Sequence, residues 1–464
     1  MTFQSTAVID DRGNVLDYAQ LKAAGIRLAR AVGGRCLVFN MCDNSLGSLV
    51  GYAGFLANRI VPAMLRRNPG AENLRQLYAR YSPRFVWTDK ADLARYPDCT
   101  AIHEEFGYVL LRTPFASAVL LHEDLALLLT TSGSTGSPKF VRQSYANLKA
   151  NTASIVEYLG LAPSDRAITT LPMHYTYGLS VLNTHLAVGA TLLLTDKTMM
   201  QKEFWSFFKE HGATSFGGVP YTYEILKKLR FFNMDLPSLR TMTQAGGRLA
   251  PELHREFAQF AADTGRRFVV MYGQSEATAR MSWLPPERSL EKCGSIGIAI
   301  PGGRFELIDS EAQVIDEPDK TGELVYYGDN VTLGYAECAE DLARGDERRG
   351  TLATGDLARR DEEGYYYIVG RKNRFLKIFG NRVGLDEVEH LLKDRFPHTD
   401  CACAGRDDQM HVFAPAGAPL EEMKRFLVEA TGLYQASIYL CEVPKIPKNE
   451  AGKTLYAELE KYYR

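Results

Sequence analysis

The sequence lacks long apolar runs, an excess of charge of either sign and paired cysteine motifs. No apolar run approaches the roughly 18 residues that a membrane-spanning helix needs, and the first residues, MTFQSTAVIDDRGN, do not have the pattern of a secretion signal. The 54 basic and 56 acidic side chains leave a net charge of -2, so the basic surface that binds a nucleic-acid backbone is missing. We therefore expect a cytoplasmic protein without a membrane span and without a nucleic-acid partner.

The eight cysteines are scattered and form neither CxxC pairs nor the Cys and His spacing of zinc sites. Cys401 and Cys403 are the closest pair, but alternate residues of a strand merely share a face, and no second ligand pair follows them. The sequence predicts reduced, mostly buried thiols.

Alternating segments dominate the region from about residue 115 to 285. Short apolar runs such as LALLLTTSG and RFVVMYGQ alternate with amphipathic stretches such as PYTYEILKKLR and APELHREFAQFAADTG. This order predicts an α/β fold with a largely parallel sheet, in which ligands bind beyond the carboxyl ends of the strands. The 464 residues suffice for two or three globular units.

The pattern changes after Pro285. Here the alternation of apolar and polar residues is interrupted by Asp, Pro and Gly, which predicts hairpins in a small, barrel-like sheet layer. Beyond residue 373, strand-like FLKIF and helix-like LDEVEHLLKDRF and EEMKRFLVEATG predict a small α+β domain. We expect residues 1–370 to form a large domain of layered α/β subdomains plus the barrel-like layer, and residues 374–464 to form the small domain.

Residues 130–139 read TTSGSTGSPK and directly follow the apolar run LALLL. Small hydroxyl and glycine residues after a buried strand let the backbone approach an anion closely, so this stretch predicts a phosphate-binding loop. The sequence does not match the ordinary P-loop pattern GxxxxGK[ST], because Ser137 and Pro138 separate Gly136 from Lys139. The alternative is a solvated Ser/Gly linker, which the position within the α/β pattern disfavours.

The loop and six further blocks resemble the acyl-adenylate-forming superfamily, which includes acyl- and aryl-CoA synthetases, luciferases and peptide-synthetase adenylation domains. The blocks follow in the family's order over about 330 residues. They are MHYTYGLS, YGQSEAT, GELVYYGDNVTLGY, TGDL, GRKNRFLKIFGNRVGLDEVE and PKNEAGK. The resemblance implies an enzyme that joins a carboxylic acid to the α-phosphate of ATP, releases pyrophosphate and passes the acyl group to a thiol, with ATP, Mg²⁺ and CoA as cofactors.

The same resemblance implies the nucleotide site. The loop would hold the β- and γ-phosphates, Tyr272 would lie flat against adenine, Ser275 would reach the α-phosphate, and Asp356 with Arg371 would bind the ribose hydroxyls. The implied ATP- and AMP-binding residues are Thr131, Ser132, Gly133, Ser134, Thr135, Gly136, Lys139, Gly246, Gly247, Tyr272, Gly273, Gln274, Ser275, Asp356 and Arg371.

Three residues are implied as catalytic: Lys453, His174 and Glu276. Lys453 would bridge the substrate carboxylate and the α-phosphate, because a cation favours bringing two anions together. Glu276 would bind Mg²⁺, a hard ion that accepts one carboxylate together with water and phosphate oxygens. Tyr456 stands where family members often have Arg, which puts a local contact in doubt but not Lys453.

The acid pocket is implied by aromatic and small residues in two blocks. An amino-acid substrate is disfavoured, because the Asp that holds its amine in peptide synthetases is absent here. We expect an aromatic or fatty carboxylate, although aromatic walls fit an ordinary core equally well. The pocket residues are His174, Tyr177, Phe216, Gly218 and Val219.

The resemblance also implies a hinge at residues 371–373, centred on Asn373, about which the small domain moves. The family usually has Asp or Lys at this position. Gly380 would line the thiol channel, where a missing side chain leaves room for a pantetheine arm.

The acceptor would be CoA or a separate phosphopantetheinyl carrier protein. Transfer to such a carrier or to an amine is the alternative enzyme, and a non-catalytic acyl-nucleotide binder is the alternative of another class. The binder would have lost Lys453 or Glu276, and both are present. Whether two copies form a homodimer is left open.

Overall fold

The computed structural model describes residues 5–115, 119–130, 139–372, 374–378, 381–431, 433–449 and 452–463. Two compact units are present, each with its own apolar core. Within the described residues, the first unit comprises 5–304 and 327–352, and the second comprises 305–326 and 353–463. The expected domain boundaries at 370 and 374 stay a prediction.

The first unit contains a nine-stranded sheet, counted over the described residues. In spatial order its strands are Ile298–Ala299, Ser282–Trp283, Arg267–Tyr272, Thr241–Gln244, Ser215–Gly218, Arg166–Ile168, Thr191–Leu194, Thr6–Asp10 and Val15–Asp17. The strands from Arg267–Tyr272 to Thr6–Asp10 pair in parallel, with antiparallel strands at both edges. The parallel sheet predicted from the alternating pattern is confirmed.

A second sheet in this unit positions the two ends of the predicted phosphate loop. Its strands, in spatial order, are Gly334–Ala336, Phe140–Ser144, Leu125–Thr130, Val61–Arg66, Leu37–Cys42, Phe85–Asp89, Tyr108–Arg112 and Thr100–Glu105. Strands Leu125–Thr130 and Phe140–Ser144 are antiparallel neighbours, with Thr130 opposite Phe140. The residues before and after the loop therefore lie side by side.

Helices of the first unit follow the amphipathic stretches. They are Tyr18–Val32, Leu46–Ala57, Ala71–Tyr81, Tyr145–Leu159, Thr176–Val188, Lys202–Glu210, Pro220–Lys228 and Pro251–Asp263. At the start of Tyr145–Leu159, the Ser144 hydroxyl accepts from the Asn147 amide, and the Asn147 side chain accepts from the Ser144 amide. This reciprocal cap satisfies two amide groups that a helix start otherwise leaves without a partner.

The second unit contains most of a four-stranded sheet and all of the C-terminal α+β region. The four strands are Gly303–Ile308, Gly322–Gly328, Thr351–Arg360 and Tyr366–Arg371. The C-terminal strands are Phe375–Ile378 with Asn381–Gly384, and Ala402–Arg406, Gln409–Pro415 and Ile438–Val443. Helices Leu385–Arg395 and Leu420–Thr431 pack on them over a core that includes Leu392, Val412 and Leu427.

Within the described residues, no helix is long and apolar enough to cross a membrane. All eight cysteines are free, and five are buried, as predicted: Cys36, Cys42, Cys401, Cys403 and Cys441.

Candidate active site

Three parallel strands of the large sheet end at one edge, and most of the predicted site residues follow them. Strand Ser215–Gly218 pairs with Thr241–Gln244, and that strand pairs with Arg267–Tyr272, with Gly218 opposite Gln244 and Gln244 opposite Val270. Because the strands run in parallel, the segments after their carboxyl ends meet at the same edge.

Gly246 follows the middle strand and has a φ of +85°, a backbone conformation that favours glycine. A Cβ atom at this position would come within 2.6 Å of the Tyr175 hydroxyl and 3.1 Å of the Val219 side chain. Gly247 lies against Pro220, and its carbonyl accepts a bond from the Gln244 side chain at 2.9 Å. The two glycines thus give this edge an accessible backbone beside an aromatic ring.

The segment after Tyr272 folds back against its own strand. A Cβ atom on Gly273 would overlap the Ala279 carbonyl oxygen at 1.7 Å, so this turn requires glycine. Ala279 has a φ of +134°, and the Met281 amide donates to the Tyr272 carbonyl at 2.9 Å. The Tyr272 hydroxyl accepts from the Gln274 side chain at 3.3 Å.

Glu276 lies in the one-turn helix Ser275–Ala277 and is held by Tyr335. The Tyr335 hydroxyl donates to a Glu276 carboxylate oxygen at 2.6 Å. Burial, and then the neighbouring Glu276, raise the pKa of the Tyr335 hydroxyl to about 12, so it stays protonated and keeps donating. The Lys139 ammonium and the Arg348 guanidinium lie 4.0 Å and 4.7 Å from the centre of the same ring.

Tyr335 thus contacts both Lys139, which follows the predicted phosphate loop, and the carboxylate that the resemblance implies as the Mg²⁺ ligand. Tyr335 was not predicted as a site residue. Its only sequence signal was its place at the end of the block GELVYYGDNVTLGY.

Glu276 fits Mg²⁺ in its donor chemistry. Within the described residues, no group of three or more His, Cys, Asp or Glu side chains could hold a metal by itself. The Glu276 carboxylate receives one bond from Tyr335 and keeps further lone pairs, and Mg²⁺ is commonly held by one or two carboxylates together with phosphate oxygens.

Four of the predicted acid-pocket residues lie near this edge. Tyr177 is 1% exposed and donates to the Thr243 carbonyl at 2.8 Å, while Gly218 and Val219 end the neighbouring strand and begin the next turn. Phe216 packs against the rings of Tyr223 and Phe231, so its ring also belongs to the core.

His174 lies elsewhere in the same unit, in a cleft of about 390 Å³ that Arg66 and Asp196 also line. Burial, and then the positive charge of Arg66, lower the pKa of His174 to about 4. The next residue, Tyr175, is the one that reaches Gly246. The structure therefore places Tyr175, and not His174, beside the glycine edge.

In the second unit, Asp356 and Arg371 are partners across two antiparallel strands. The Asp356 carboxylate is buried and lies 3.1 Å from the Arg371 Nε, whereas the Arg371 side chain is 61% exposed. The next residue, Lys372, pairs with Glu323 at 2.5 Å. The structure thus brings the two predicted ribose-binding residues together.

Lys453 is exposed and lies in a turn where its amide donates to the Asn449 side chain at 2.9 Å. Tyr456 packs below the Arg374 guanidinium at 3.7 Å and donates to Glu389 at 3.1 Å, so this departure from the family has a structural role. The remaining predicted residues lie outside the described part of the chain: Thr131, Ser132, Gly133, Ser134, Thr135, Gly136, Asn373 and Gly380.

The profile of a protein family described as AMP-binding enzyme matches residues 2–336. Peroxisomal OPC-8:0-CoA ligase 1 of Arabidopsis thaliana is 30% identical over 359 residues, which are 73% of this chain and 64% of that protein. The 2-succinylbenzoate–CoA ligase of Bacillus mycoides (strain KBAB4) is 28% identical over 351 residues, which are 73% of this chain and 70% of that protein. The alignment thus spans about two-thirds of these relatives' length.

Solved structures confirm the fold class. The o-succinylbenzoate CoA synthetase MenE from Bacillus subtilis, in complex with its acyl-adenylate intermediate, superposes with a TM-score of 0.79 at 22% identity, over 99% of this chain and 96% of that one. ATP-bound MatB from Rhodopseudomonas palustris superposes with a TM-score of 0.78 at 22% identity, over 100% of this chain and 96% of that one.

Proposed function

The chain belongs to the AMP-binding enzyme family, and on that basis we propose that it is an ATP-dependent acid–thiol ligase. In the first half-reaction, an oxygen of a carboxylic acid attacks the α-phosphorus of ATP, and pyrophosphate leaves. In the second, a thiol attacks the carbonyl of the acyl-adenylate, a thioester forms, and AMP leaves.

One observation carries this proposal: the contact chain from Lys139 through Tyr335 to Glu276. The Lys139 ammonium, which follows the predicted phosphate loop, lies over the Tyr335 ring, and the hydroxyl of the same tyrosine donates to the Glu276 carboxylate. Such a pair suits a polyphosphate held with Mg²⁺, because the cation binds phosphate oxygens and the carboxylate binds the metal. Mg²⁺, when bound, neutralises charge on the phosphates.

The other residues bind and orient the nucleotide. The Tyr272 ring stacks on adenine beside the Gly246 and Gly247 backbone, and Asp356 accepts bonds from the ribose hydroxyls while Arg371 holds that carboxylate in place. Lys453 then supplies the cation that draws the acid carboxylate and the α-phosphate together. Such a charge acts most strongly as negative charge accumulates in the transition state.

For the acceptor we propose CoA. The supporting fact is that relatives are named as CoA ligases for several acids, among them 2-succinylbenzoate and oxalate. Asn373 as the hinge and Gly380 at the thiol channel belong to the same proposal, as does a cytoplasmic setting that supplies ATP and CoA.

The proposal is tested by measuring acid-dependent pyrophosphate release from ATP over a panel of carboxylic acids, with Lys453→Ala beside the parent protein. We expect Lys453→Ala to lower release by at least about 100-fold while ATP binding, measured by calorimetry, is kept. Lys448→Ala is the matched control, because Lys448 lies in the same turn region and pairs with Asp400 at 2.7 Å. Unchanged turnover in Lys453→Ala would refute the assignment of this lysine.

Products identified by mass spectrometry distinguish the acceptors. With CoA supplied, we expect an acyl-CoA. With CoA omitted, we expect the acyl-adenylate to remain on the enzyme. Acyl transfer only to an added carrier protein or to an amine would contradict the choice of CoA.

A further inference from the structure

Arg348 is a cation beside Glu276 and Tyr335 to which the resemblance gives no role. It lies between the blocks GELVYYGDNVTLGY and TGDL, so no function carries over to it from the acyl-adenylate-forming superfamily. Its Nη1 donates to the Glu276 carbonyl at 3.2 Å, and its guanidinium carbon lies 4.7 Å from the centre of the Tyr335 ring. The Arg348 side chain is half-buried, so part of it is accessible to a ligand.

The Tyr335 ring contacts a second cation, Lys139, whose ammonium lies 4.0 Å from the ring centre. We call Lys139 and Arg348 the cation pair. Within the described part of the chain, neither of them forms an ion pair with a carboxylate, whereas the nearby Arg344 pairs with Asp341 at 2.9 Å. Two cations held at one ring repel each other, and an anion that contacts both removes this cost.

The carboxylates around the cation pair do not neutralise it fully. Glu276 is joined to it through the Tyr335 hydroxyl, and Tyr335 stays neutral, because burial, and then Glu276, raise its pKa to about 12. Glu347, which precedes Arg348 in the chain, pairs instead with the buried Arg142. The cation pair, the phenol and one carboxylate together keep an excess of one positive charge, which suits an anion with several negative charges.

The turn that carries Arg348 is fixed by its backbone. The Asp346 side chain accepts from the Arg348 amide at 2.9 Å, and the Arg348 carbonyl accepts from the Thr351 amide at 3.0 Å. The Glu347 amide also donates to the Leu333 carbonyl at 3.0 Å. A cation on a fixed turn is already positioned, so less conformational entropy is lost when a ligand binds to it.

The bond from Arg348 to the Glu276 carbonyl is not needed to satisfy that carbonyl. The same oxygen accepts from the Thr332 amide and from the Thr332 hydroxyl, each at 3.0 Å, and a carbonyl oxygen has two lone pairs. A guanidinium has five N–H donors, and the bond to Glu276 uses one of them. Donors therefore remain for a bidentate contact with a phosphate.

We propose that Arg348 binds the β- and γ-phosphates of ATP together with Lys139, and that it neutralises the negative charge that pyrophosphate gains as it leaves. This inference rests on the function proposed above. As the carboxylate oxygen bonds to the α-phosphorus, the bond from that phosphorus to the oxygen of the β-phosphate breaks, and its electron pair stays on that oxygen. The two departing phosphates thereby gain one negative charge, so a guanidinium beside them stabilises the transition state more than the ground state.

The test compares the dissociation constants of ATP and AMP, because AMP lacks the β- and γ-phosphates. Both are measured by calorimetry without acid, at a moderate and at a saturating Mg²⁺ concentration. We expect Arg348→Gln to raise the dissociation constant of ATP by about tenfold or more at both concentrations, and to change that of AMP by less than about twofold. Glutamine removes the charge but keeps an N–H donor for the Glu276 carbonyl.

Two further variants of Arg348 complete this test. Arg348→Lys should retain part of the ATP affinity, because lysine keeps the charge but loses the planar fork. Arg348→Met is a second neutral variant, and it decides the same question if Arg348→Gln does not fold, as judged by circular dichroism.

Arg349→Gln is the matched control. Arg349 follows Arg348 directly, its side chain is exposed, and its amide donates to the same Asp346 side chain at 2.9 Å. The variant removes the same charge from the same turn, and an exposed charge is screened by the solvent. It should therefore bind ATP as the parent protein does.

Unchanged ATP binding in a folded neutral variant of Arg348 would overturn the inference. An equal loss of ATP and AMP binding would overturn it as well, since this result indicates a distorted nucleotide site. A loss of ATP binding that saturating Mg²⁺ restores would also overturn it, because Arg348 would then act through the metal at Glu276.

Any of these results, with pyrophosphate still released by the parent protein in the presence of an acid, leaves the proposed ligase function intact. Absence of pyrophosphate release with every acid would refute that function, and this inference with it.

Discussion

Tyr335 is the residue on which the position of Glu276 depends. Its phenol donates to the carboxylate at 2.6 Å, and its ring is in contact with the Lys139 and Arg348 cations. In the proposed function, this carboxylate binds Mg²⁺. A change in the orientation of the carboxylate therefore weakens Mg²⁺ binding more than it weakens the binding of adenine.

We expect Tyr335→Phe to raise the Mg²⁺ concentration needed for half-maximal pyrophosphate release by about tenfold. The reason is that a hydrogen bond to a charged group contributes about 1.5–3 kcal/mol. The ring, and with it the contacts to the two cations, is kept. The measurement is a Mg²⁺ titration of initial rates.

Tyr327→Phe is the control for this titration, because its ring holds Arg304 at 4.1 Å and phenylalanine retains that ring. An unchanged Mg²⁺ requirement in Tyr335→Phe would show that Glu276 does not bind the metal in the proposed way.

The resemblance to the acyl-adenylate-forming superfamily implied Glu276, Tyr272 and the glycine pair as site residues, and their roles stay a prediction. It did not identify Tyr335 or Tyr175. Helix Thr176–Val188 begins directly after Tyr175, and the backbone at a helix start determines the direction of each side chain. Only the structure therefore shows that residue 175, rather than residue 174, faces Gly246.

Arg374 connects helix Leu385–Arg395, the first of the two helices in the C-terminal region, to its neighbours. This guanidinium pairs with Asp386 and Glu389 and donates to the Cys403 carbonyl at 2.7 Å. Glu389 is 4% exposed, so removal of Arg374 would leave a buried carboxylate without its main partner.

We expect Arg374→Met to destabilise this helix by about 3–5 kcal/mol, the typical cost of breaking a buried ion pair. Native-state hydrogen exchange measured over residues 385–395 tests this, because it reports local opening and does not require two-state unfolding. Lys393→Met is the control, because Lys393 is 49% exposed and lies 3.7 Å from Glu389. Equal protection in both variants would contradict the assigned role.

Helices whose apolar residues recur at a regular spacing could be predicted from the sequence. Helix Pro251–Asp263 has Leu253 and Phe257 on its buried side and polar residues opposite, and its sequence alone identifies it. Helix Thr176–Val188 was not predicted from its sequence, because polar residues such as Ser180, Thr184 and His185 are buried along with its apolar ones. Its packing against helix Tyr145–Leu159 and strand Thr191–Leu194, rather than a regular spacing of apolar residues, determines its burial.

At the scale of the whole molecule, buried neutral histidines make stability depend on pH. Burial lowers the pKa of His174 and of His254 from 6.5 to about 4. The His254 Nε2 lies 2.9 Å from the Ser289 hydroxyl, and its Nδ1 accepts from the Gly294 amide at 3.3 Å. Because the Nδ1 lone pair already accepts this hydrogen bond, protonation of Nδ1 would break the bond.

The unfolded chain binds protons with the ordinary histidine pKa, whereas the folded chain does not, so stability falls as the pH is lowered from 6.5 to about 4. Each such histidine contributes a slope of up to about 1.4 kcal/mol per pH unit to the free energy of unfolding.

We expect His254→Gln to make the pH dependence of the free energy of unfolding shallower, because an amide can still donate and accept there. His398→Gln, at an exposed position, should leave the pH dependence unchanged, and an equal change in both variants would contradict this explanation.

The proposed ligase function requires ATP to be cleaved between its α- and β-phosphates, and only when an acid is present. The most direct measurement is chromatographic analysis of the nucleotide products formed with a panel of mono- and dicarboxylic acids in the presence of Mg²⁺ and CoA. We expect AMP and pyrophosphate in equal amounts, formed together with a thioester. Formation of ADP and phosphate, or cleavage that is independent of the acid, would contradict it.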